Sequence, residues 1–150
     1  MKKRSKALLL LYILFLLWVV LFKGEINLSW LDDWSLESLK KGAGEGHYNL
    51  FFTIDNFLHA YLQGNLDPWY FWSNILGNVL VFVPLGFLLR NQNYSWKKCL
   101  FFGLGLILVI ESLQLVTRLG VFDVDDILLN GLGVLLGIMA HDLLVWKRGN

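Results

Sequence analysis

Four long apolar runs dominate the pattern of hydrophobic and polar positions along the chain. They cover residues 7–22, about 69–89, 99–117 and about 126–146. An α-helix rises about 1.5 Å per residue, so a run of ~20 residues matches the ~30 Å hydrocarbon core of a bilayer. The first run covers only ~24 Å, but the flanking Lys6 and Lys23 can reach the interface to close the difference. The pattern predicts an all-α fold: a four-span transmembrane helical bundle that forms one domain over residues 1–150.

The first run follows a basic start, a combination that also opens secretory signal peptides. The stretch WVVLFKGE that follows offers no small-residue cleavage site. We therefore expect this run to remain as a membrane anchor.

A long polar loop, residues 24–68, separates the first two runs and contains two helix candidates. The weaker candidate is the stretch SWLDDWSLESLKKG, which ends at Gly42, and the stronger one is amphipathic. Its apolar positions follow helical spacing: Ile54, Phe57, Leu58, Tyr61 and Leu62. Thr53 is suited to cap the start of this helix, and Gly64 to end it. The helix could lie on the membrane surface or roof the bundle, or it could simply pack on the spans.

Composition agrees with a membrane protein. Apolar residues make up 56% of the chain and charged residues only 17%, with a net charge of +1. So small a net charge gives no indication of a nucleic-acid partner, and the bilayer is the expected surrounding. The single cysteine, Cys99, cannot form an internal disulfide.

The basic residues predict the orientation. Nine of the thirteen Lys and Arg side chains lie in the N-terminal segment, the loop between the second and third runs, and the C-terminal segment. Because short cytoplasmic segments carry the excess of cations, both termini are expected in the cytoplasm and loop 24–68 outside.

Polar residues interrupt the last three runs near their predicted outer ends. A charge at the centre of a spanning helix costs about 2.5–3.5 kcal/mol on insertion scales, so such residues must face one another or water. We expect them to form an outward-open pocket that binds a ligand. The candidate residues are Asn74, Asn78, Glu111, Gln114, Arg118, Asp123, Asp126 and Asn130.

Structural roles remain open for several of these residues. The asparagines could hydrogen-bond between helices, and Asp126 could cap the last helix. Arg118 could pair with Asp123, Asp125 or Asp126 across the short turn between the third and fourth spans.

Glycine and proline predict local features of the spans. Gly133 and Gly137 form a small-xxx-small pair that would let two helices approach closely within one chain. Pro84 and Gly86 in the second span predict a kink or a partly unwound segment.

Two ordered motifs within residues 48–140 resemble the VanZ family of small bacterial membrane proteins. The first is an Asn-x-x-x-Phe-x-Pro-x-Gly pattern that begins at Asn78, and the second begins with Glu-x-x-Gln at Glu111. The second motif continues through Arg118, Asp123, Asp126, Asn130, Gly133 and Gly137. The stretch YNLFFTI departs from the family pattern, because Phe51 stands where proline is usual.

The resemblance implies a role in resistance to teicoplanin, a glycopeptide antibiotic with a lipid tail, in the bacterial cell membrane. It supplies no mechanism. Our leading hypothesis is a non-enzymatic protein that binds such an amphipathic molecule, or a lipid-linked cell-wall precursor, in the outward-facing pocket, without cofactor or metal.

An intramembrane enzyme acting on a lipid-linked substrate is the alternative. Glu111 would serve as acid or base, with Asp126 or a neighbouring aspartate as its partner or as a ligand for a hard metal ion. The sequence contains no recognisable nucleophile motif, and His47 and His59 are expected to be loop and surface residues. A transporter-like or assembly module is a third possibility, and with four spans it would have to form oligomers.

Overall fold

The computed structural model describes residues 2–21, 35–117 and 121–149, and within these ranges the regular secondary structure is helical. The six helices are α1 Lys2–Leu21, α2 Leu36–Gly44, α3 Phe52–Leu62, α4 Pro68–Arg90, α5 Trp96–Thr117 and α6 Val124–Gly149. The predicted all-α fold is therefore confirmed.

Within the described ranges, three helices are long and apolar enough to cross a membrane: Pro68–Arg90, Trp96–Thr117 and the Val124–Lys147 part of α6. They correspond to the last three predicted spans. Large apolar side chains stay exposed on their outer surfaces, among them Leu80, Phe101 and Leu143, as contact with lipid requires.

Helix α1 packs beside α4 and α5. Leu16 is fully buried, and the Tyr12 hydroxyl donates a hydrogen bond of 2.6 Å to the main-chain carbonyl of Val81. The predicted first span ends at Phe22, which lies outside the described residues, so a fourth membrane span remains a prediction.

Helices α4 and α6 run side by side in the same direction and touch through their main chains. A Cβ added to Gly133 would lie 2.1 Å from the carbonyl oxygen of Val79, and one on Gly137 would lie 2.0 Å from that of Val83. Gly86 meets the carbonyl oxygen of Val134 in the same way, at 2.0 Å. The predicted close approach within one chain is confirmed.

Pro84 does not interrupt α4, which is helical from Pro68 to Arg90. The partly unwound segment expected at this position is therefore absent. At the end of the pair away from the loop helix, Arg90 Nε donates to Asp142 Oδ1 at 2.7 Å.

Helix α3 occupies the amphipathic stretch of the long loop and ends as expected. Gly64, just beyond its last turn, has φ 73°, the left-handed conformation typical of a residue that terminates a helix. The predicted cap at its start is wrong: Phe51, not Thr53, holds the cap position, with φ 65°, and it makes no side-chain hydrogen bond to the helix.

Candidate functional site

Three aspartates at the start of α6 make three different sets of contacts. Asp123 precedes the first residue of α6, and its Oδ1 accepts the backbone N–H of Asp125 at 2.8 Å. Asp123 is thus the N-cap of α6. The suggestion that Asp126 caps this helix is therefore wrong, because α6 begins at Val124, before the predicted start.

The second oxygen of Asp123 binds the long loop. Its Oδ2 accepts the Thr53 hydroxyl at 2.6 Å and lies 3.2 Å from His47 Nδ1. His47 Nδ1 also lies 2.9 Å from Thr53 Oγ1. The main chain of His47 also forms hydrogen bonds to the start of α6. Its N–H donates to Phe122 O at 2.8 Å, and its carbonyl accepts from Val124 N–H at 3.1 Å. The loop is therefore held against the start of α6 by main chain and side chain together.

Asp125 supplies the missing cap of α3. Its carboxylate is 1% exposed and accepts three backbone N–H groups, from Phe51 at 2.5 Å, Thr53 at 2.9 Å and Ile54 at 3.1 Å. The first N–H groups of a helix have no partner within the helix. They also form the positive end of the helix dipole, which attracts a carboxylate. The start of α3 is capped by a residue more than seventy positions away along the chain.

Phe51 has a backbone conformation that excludes proline, the residue expected at this position from the resemblance. Proline fixes φ near −65° and has no N–H. Phe51 has a positive φ and donates its N–H to Asp125. Proline could not take this conformation or make this bond.

Asp126 and Asn78 connect α6 to α4. The Asn78 side-chain amide donates to Asp126 Oδ1. This hydrogen bond lies at the end of the α4–α6 pair opposite to the Arg90–Asp142 ion pair, so polar contacts join the two helices at both ends.

Glu111, on α5, contacts the start of α6 at Asp123. Its side chain is 1% exposed, and Oε2 accepts the backbone N–H of Asp123 at 3.3 Å. One turn further along the same face, Gln114 is also buried. Glu111 therefore faces the start of α6 from inside the bundle.

An outer cleft of about 380 Å³ opens between α3, α4, α5 and the start of α6. Ile54, Phe57, Ile75 and Leu129 form apolar parts of its wall, so the cleft is amphipathic. Its polar lining residues are His47, Thr53, Tyr70, Asn74, Asn78, Gln114, Asp123, Asp125 and Asp126.

An inner cavity of about 270 Å³ adjoins this cleft. Asn78, Gln114 and Asp126 form part of the wall of both spaces. The remaining lining residues of the inner cavity are Val19, Gly77, Val81, Phe82 and Asn130. The polar region thus continues from the cleft towards the middle of the bundle.

The structure brings most of the predicted site residues together around these two spaces. Glu111 is buried beside them but forms part of neither wall, and Arg118 lies outside the described residues. The pairing suggested for Arg118 therefore remains a prediction. Five of the predicted residues line the outer cleft, namely Asn74, Asn78, Gln114, Asp123 and Asp126, and Asn130 lines the inner cavity.

His47, Thr53 and Asp125 were not among the predicted site residues. His59 is a surface residue as expected, with its ring near Asp55 on an exposed helix face, but the His47 ring is only 39% exposed and lines the cleft. No local sequence pattern indicates that residue 47 meets residue 123. Among the described residues, no cluster of three His, Cys, Asp or Glu side chains is arranged to hold a metal ion.

Comparison with known proteins supports the resemblance seen in the motifs. A family model described as VanZ/LLP1 matches residues 9–145. "Protein VanZ" of Enterococcus faecium is 29% identical over 147 residues, which cover 93% of this chain and 74% of that protein. No solved structure matches the chain.

Proposed function

Because the chain belongs to the VanZ/LLP1 family, we propose that it lowers the susceptibility of a bacterial cell to lipidated glycopeptide antibiotics. It does so by binding an amphipathic or lipid-linked molecule in the outer cleft. The observation that supports this proposal is the cleft itself, a polar space among helices whose outer surfaces are apolar.

The cleft suits a molecule with a polar head and a hydrocarbon tail. Polar side chains in the hydrocarbon region are costly unless they face one another, water or a ligand. Tyr70 and Val121 line the cleft and are about half exposed, so apolar surface continues from the cleft wall to the outside of the bundle. A head group in the cleft would leave its tail along this apolar surface.

The membrane arrangement belongs to the same proposal. Both termini lie in the cytoplasm and the cleft opens outside, as the distribution of basic residues predicts. Helix α1 is the fourth span, which its packing against α4 and α5 supports.

Binding and resistance can be tested with one matched pair of asparagines on α4. Asn78 lines both spaces, whereas Asn91 lies at the far end of the helix and is exposed. We expect Asn78→Ala to weaken teicoplanin binding to the purified protein about tenfold, the effect of losing one hydrogen bond of ~1.4 kcal/mol. The same variant should lose resistance in cells, and Asn91→Ala should leave both properties unchanged.

Unchanged binding and unchanged resistance in Asn78→Ala, together with Glu111→Gln and Asn130→Ala, would contradict the proposal. A glycopeptide without a lipid tail is the ligand control. It should bind more weakly than teicoplanin, because it has no tail to cover the apolar part of the cleft wall.

An enzyme that modifies a lipid-linked envelope substrate is a second candidate, and one observation favours it. His47 Nδ1 lies 3.2 Å from Asp123 Oδ2, the type of histidine–carboxylate contact that orients an imidazole ring for proton transfer. Glu111, the acid or base expected from the sequence, lines neither space. We therefore assign the role of base in this candidate to His47.

Turnover separates the two candidates. A labelled polyprenyl-linked precursor, incubated with the purified protein, should be converted if the protein is an enzyme, and His47→Gln should abolish conversion while binding persists. Binding of the precursor without any conversion by the wild type would exclude the second candidate for this substrate.

A further inference from the structure

The inner cavity contains a buried acceptor that the described residues leave without a donor. Asn130 is 2% exposed and lines the cavity, and its Oδ1 has no hydrogen-bond partner among the described residues. A buried polar atom without a partner is destabilising, because it has given up its hydrogen bonds to water. A donor group that enters the cavity from outside would remove this penalty.

The segment that contains both Asp126 and Asn130 is negatively charged on balance. Residues 111–130 carry four carboxylates, on Glu111, Asp123, Asp125 and Asp126, against one cation, Arg118, which gives 1 − 4 = −3. This sum includes Arg118, so it does not depend on where that side chain lies. Charges interact more strongly in a region of low dielectric than in water, so the site favours a positive group and disfavours a phosphate.

Asp126 brings this charge to the cavity itself. It forms part of the wall of both spaces, together with the acceptor-bearing side chains of Gln114 and Asn78. The wall also includes apolar residues, among them Val81 and Phe82. The cavity therefore offers both hydrogen-bond acceptors and contact for carbon atoms.

We propose that the inner cavity binds a primary ammonium group of the amphipathic ligand, which donates hydrogen bonds to Asn130 Oδ1 and to Asp126. This inference rests on the proposed function and narrows it, because it selects amine-bearing head groups over anionic ones. An ammonium group is small, carries three donors and attaches through a carbon stem, which matches a space of about 270 Å³ with an apolar wall.

Four probes with the same tail test the inference on the wild-type protein. Dodecylammonium, dodecyltrimethylammonium, dodecanol and dodecyl phosphate differ in the charge, the size and the hydrogen-bond donors of the head group. Native mass spectrometry or competitive displacement gives their relative affinities. We expect dodecylammonium to bind about tenfold more tightly than each of the other three, since a hydrogen bond to a charged group contributes ~1.5–3 kcal/mol.

The other rankings would overturn the inference. Equal binding of the trimethylammonium probe would show that donation to Asn130 does not contribute. Equal or tighter binding of dodecanol or dodecyl phosphate would show that positive charge is not selected.

Variants locate the effect in the cavity. Asn130→Leu should lower the affinity for dodecylammonium to that for dodecanol, whereas Asn130→Asp keeps an acceptor and should keep the preference. Asp55→Asn, on the exposed face of α3, removes a carboxylate away from the cavity and should change nothing. If Asn130→Leu does not fold, the probe ranking and Asn130→Asp still decide the question.

Failure of this inference differs from failure of the proposed function. If teicoplanin binding depends on Asn78 while the four probes bind equally, the proposed function stands and the ammonium site does not. If dodecylammonium is preferred while teicoplanin does not bind, the cavity selects amines but the proposed role in resistance is wrong.

Discussion

The carboxylate of Asp125, at the start of α6, accepts the backbone N–H of Thr53, at the start of α3, at 2.9 Å. This contact and its two companions at Phe51 and Ile54 make the first turn of α3 depend on a residue of another helix. The wall that α3 contributes to the outer cleft is therefore only as stable as the cap that Asp125 provides.

Removal of this cap should loosen α3. We expect Asp125→Ala to lower the free energy of unfolding by about 2 kcal/mol, because three buried N–H groups lose a charged acceptor. Hydrogen exchange should also accelerate selectively in residues 51–62, a local effect that thermal unfolding alone would not show. The exposed Asp55 on α3 is the control, and Asp55→Asn should exchange like the wild type. Uniform acceleration throughout the protein would contradict a local capping role.

The glycines between α4 and α6 should tolerate no side chain. Gly137→Ala would place a Cβ 2.0 Å from the carbonyl oxygen of Val83, and main chain cannot turn aside as a side chain can. We expect a loss of about 3 kcal/mol in detergent, the upper part of the range for overpacked cores.

Gly105→Ala is the matched control for Gly137→Ala. It lies in the interior of α5 and would meet nothing within 4 Å. Since alanine favours the helix more than glycine does, this variant should be neutral or up to ~1 kcal/mol more stable. A similar loss of stability in both variants would mean that helix contact is not the cause.

The two histidines of the long loop should differ in their effect on the cleft. His47→Ala removes contacts with Thr53 and Asp123, and we expect it to weaken teicoplanin binding about tenfold, as for one or two lost hydrogen bonds. His59→Ala alters only an exposed face and should stay within about twofold of the wild type. An equal effect of both variants in titrations of the purified protein would count against a role for the His47 contacts.

Orientation can be measured with thiol labelling. The native Cys99 is fully buried and should not react with an impermeant maleimide. Asn65→Cys, exposed in the loop between α3 and α4, should label in intact cells, whereas Ser95→Cys, exposed between α4 and α5, should label only after permeabilisation. The reverse pattern would place the cleft on the cytoplasmic side.

Helical spacing predicted the polar faces of the spans well. Glu111 and Gln114, three residues apart, are both buried on one face of α5, and Asn74 and Asn78, one turn apart on α4, both line the outer cleft. These relationships are local, because each follows from the geometry of a single helix.

Contacts between distant segments could not be predicted in the same way. Thr53 was expected to cap its own helix, but its hydroxyl donates to Asp123, seventy residues away, and Asp125 provides the cap. The start of α6 at Val124 made Asp123 the N-cap in place of Asp126. Loop geometry decides such pairings, and the hydrophobic pattern contains no information about it.

The main-chain contact of α4 with α6 also limits how the cleft can open. Direct main-chain contacts at Gly86, Gly133 and Gly137 resist sliding of the two helices past each other. If a ligand enters the cleft, we therefore expect the segment from His47 to α3, which hydrogen bonds to Asp123 and Asp125 hold in place, to be the part of the wall that moves.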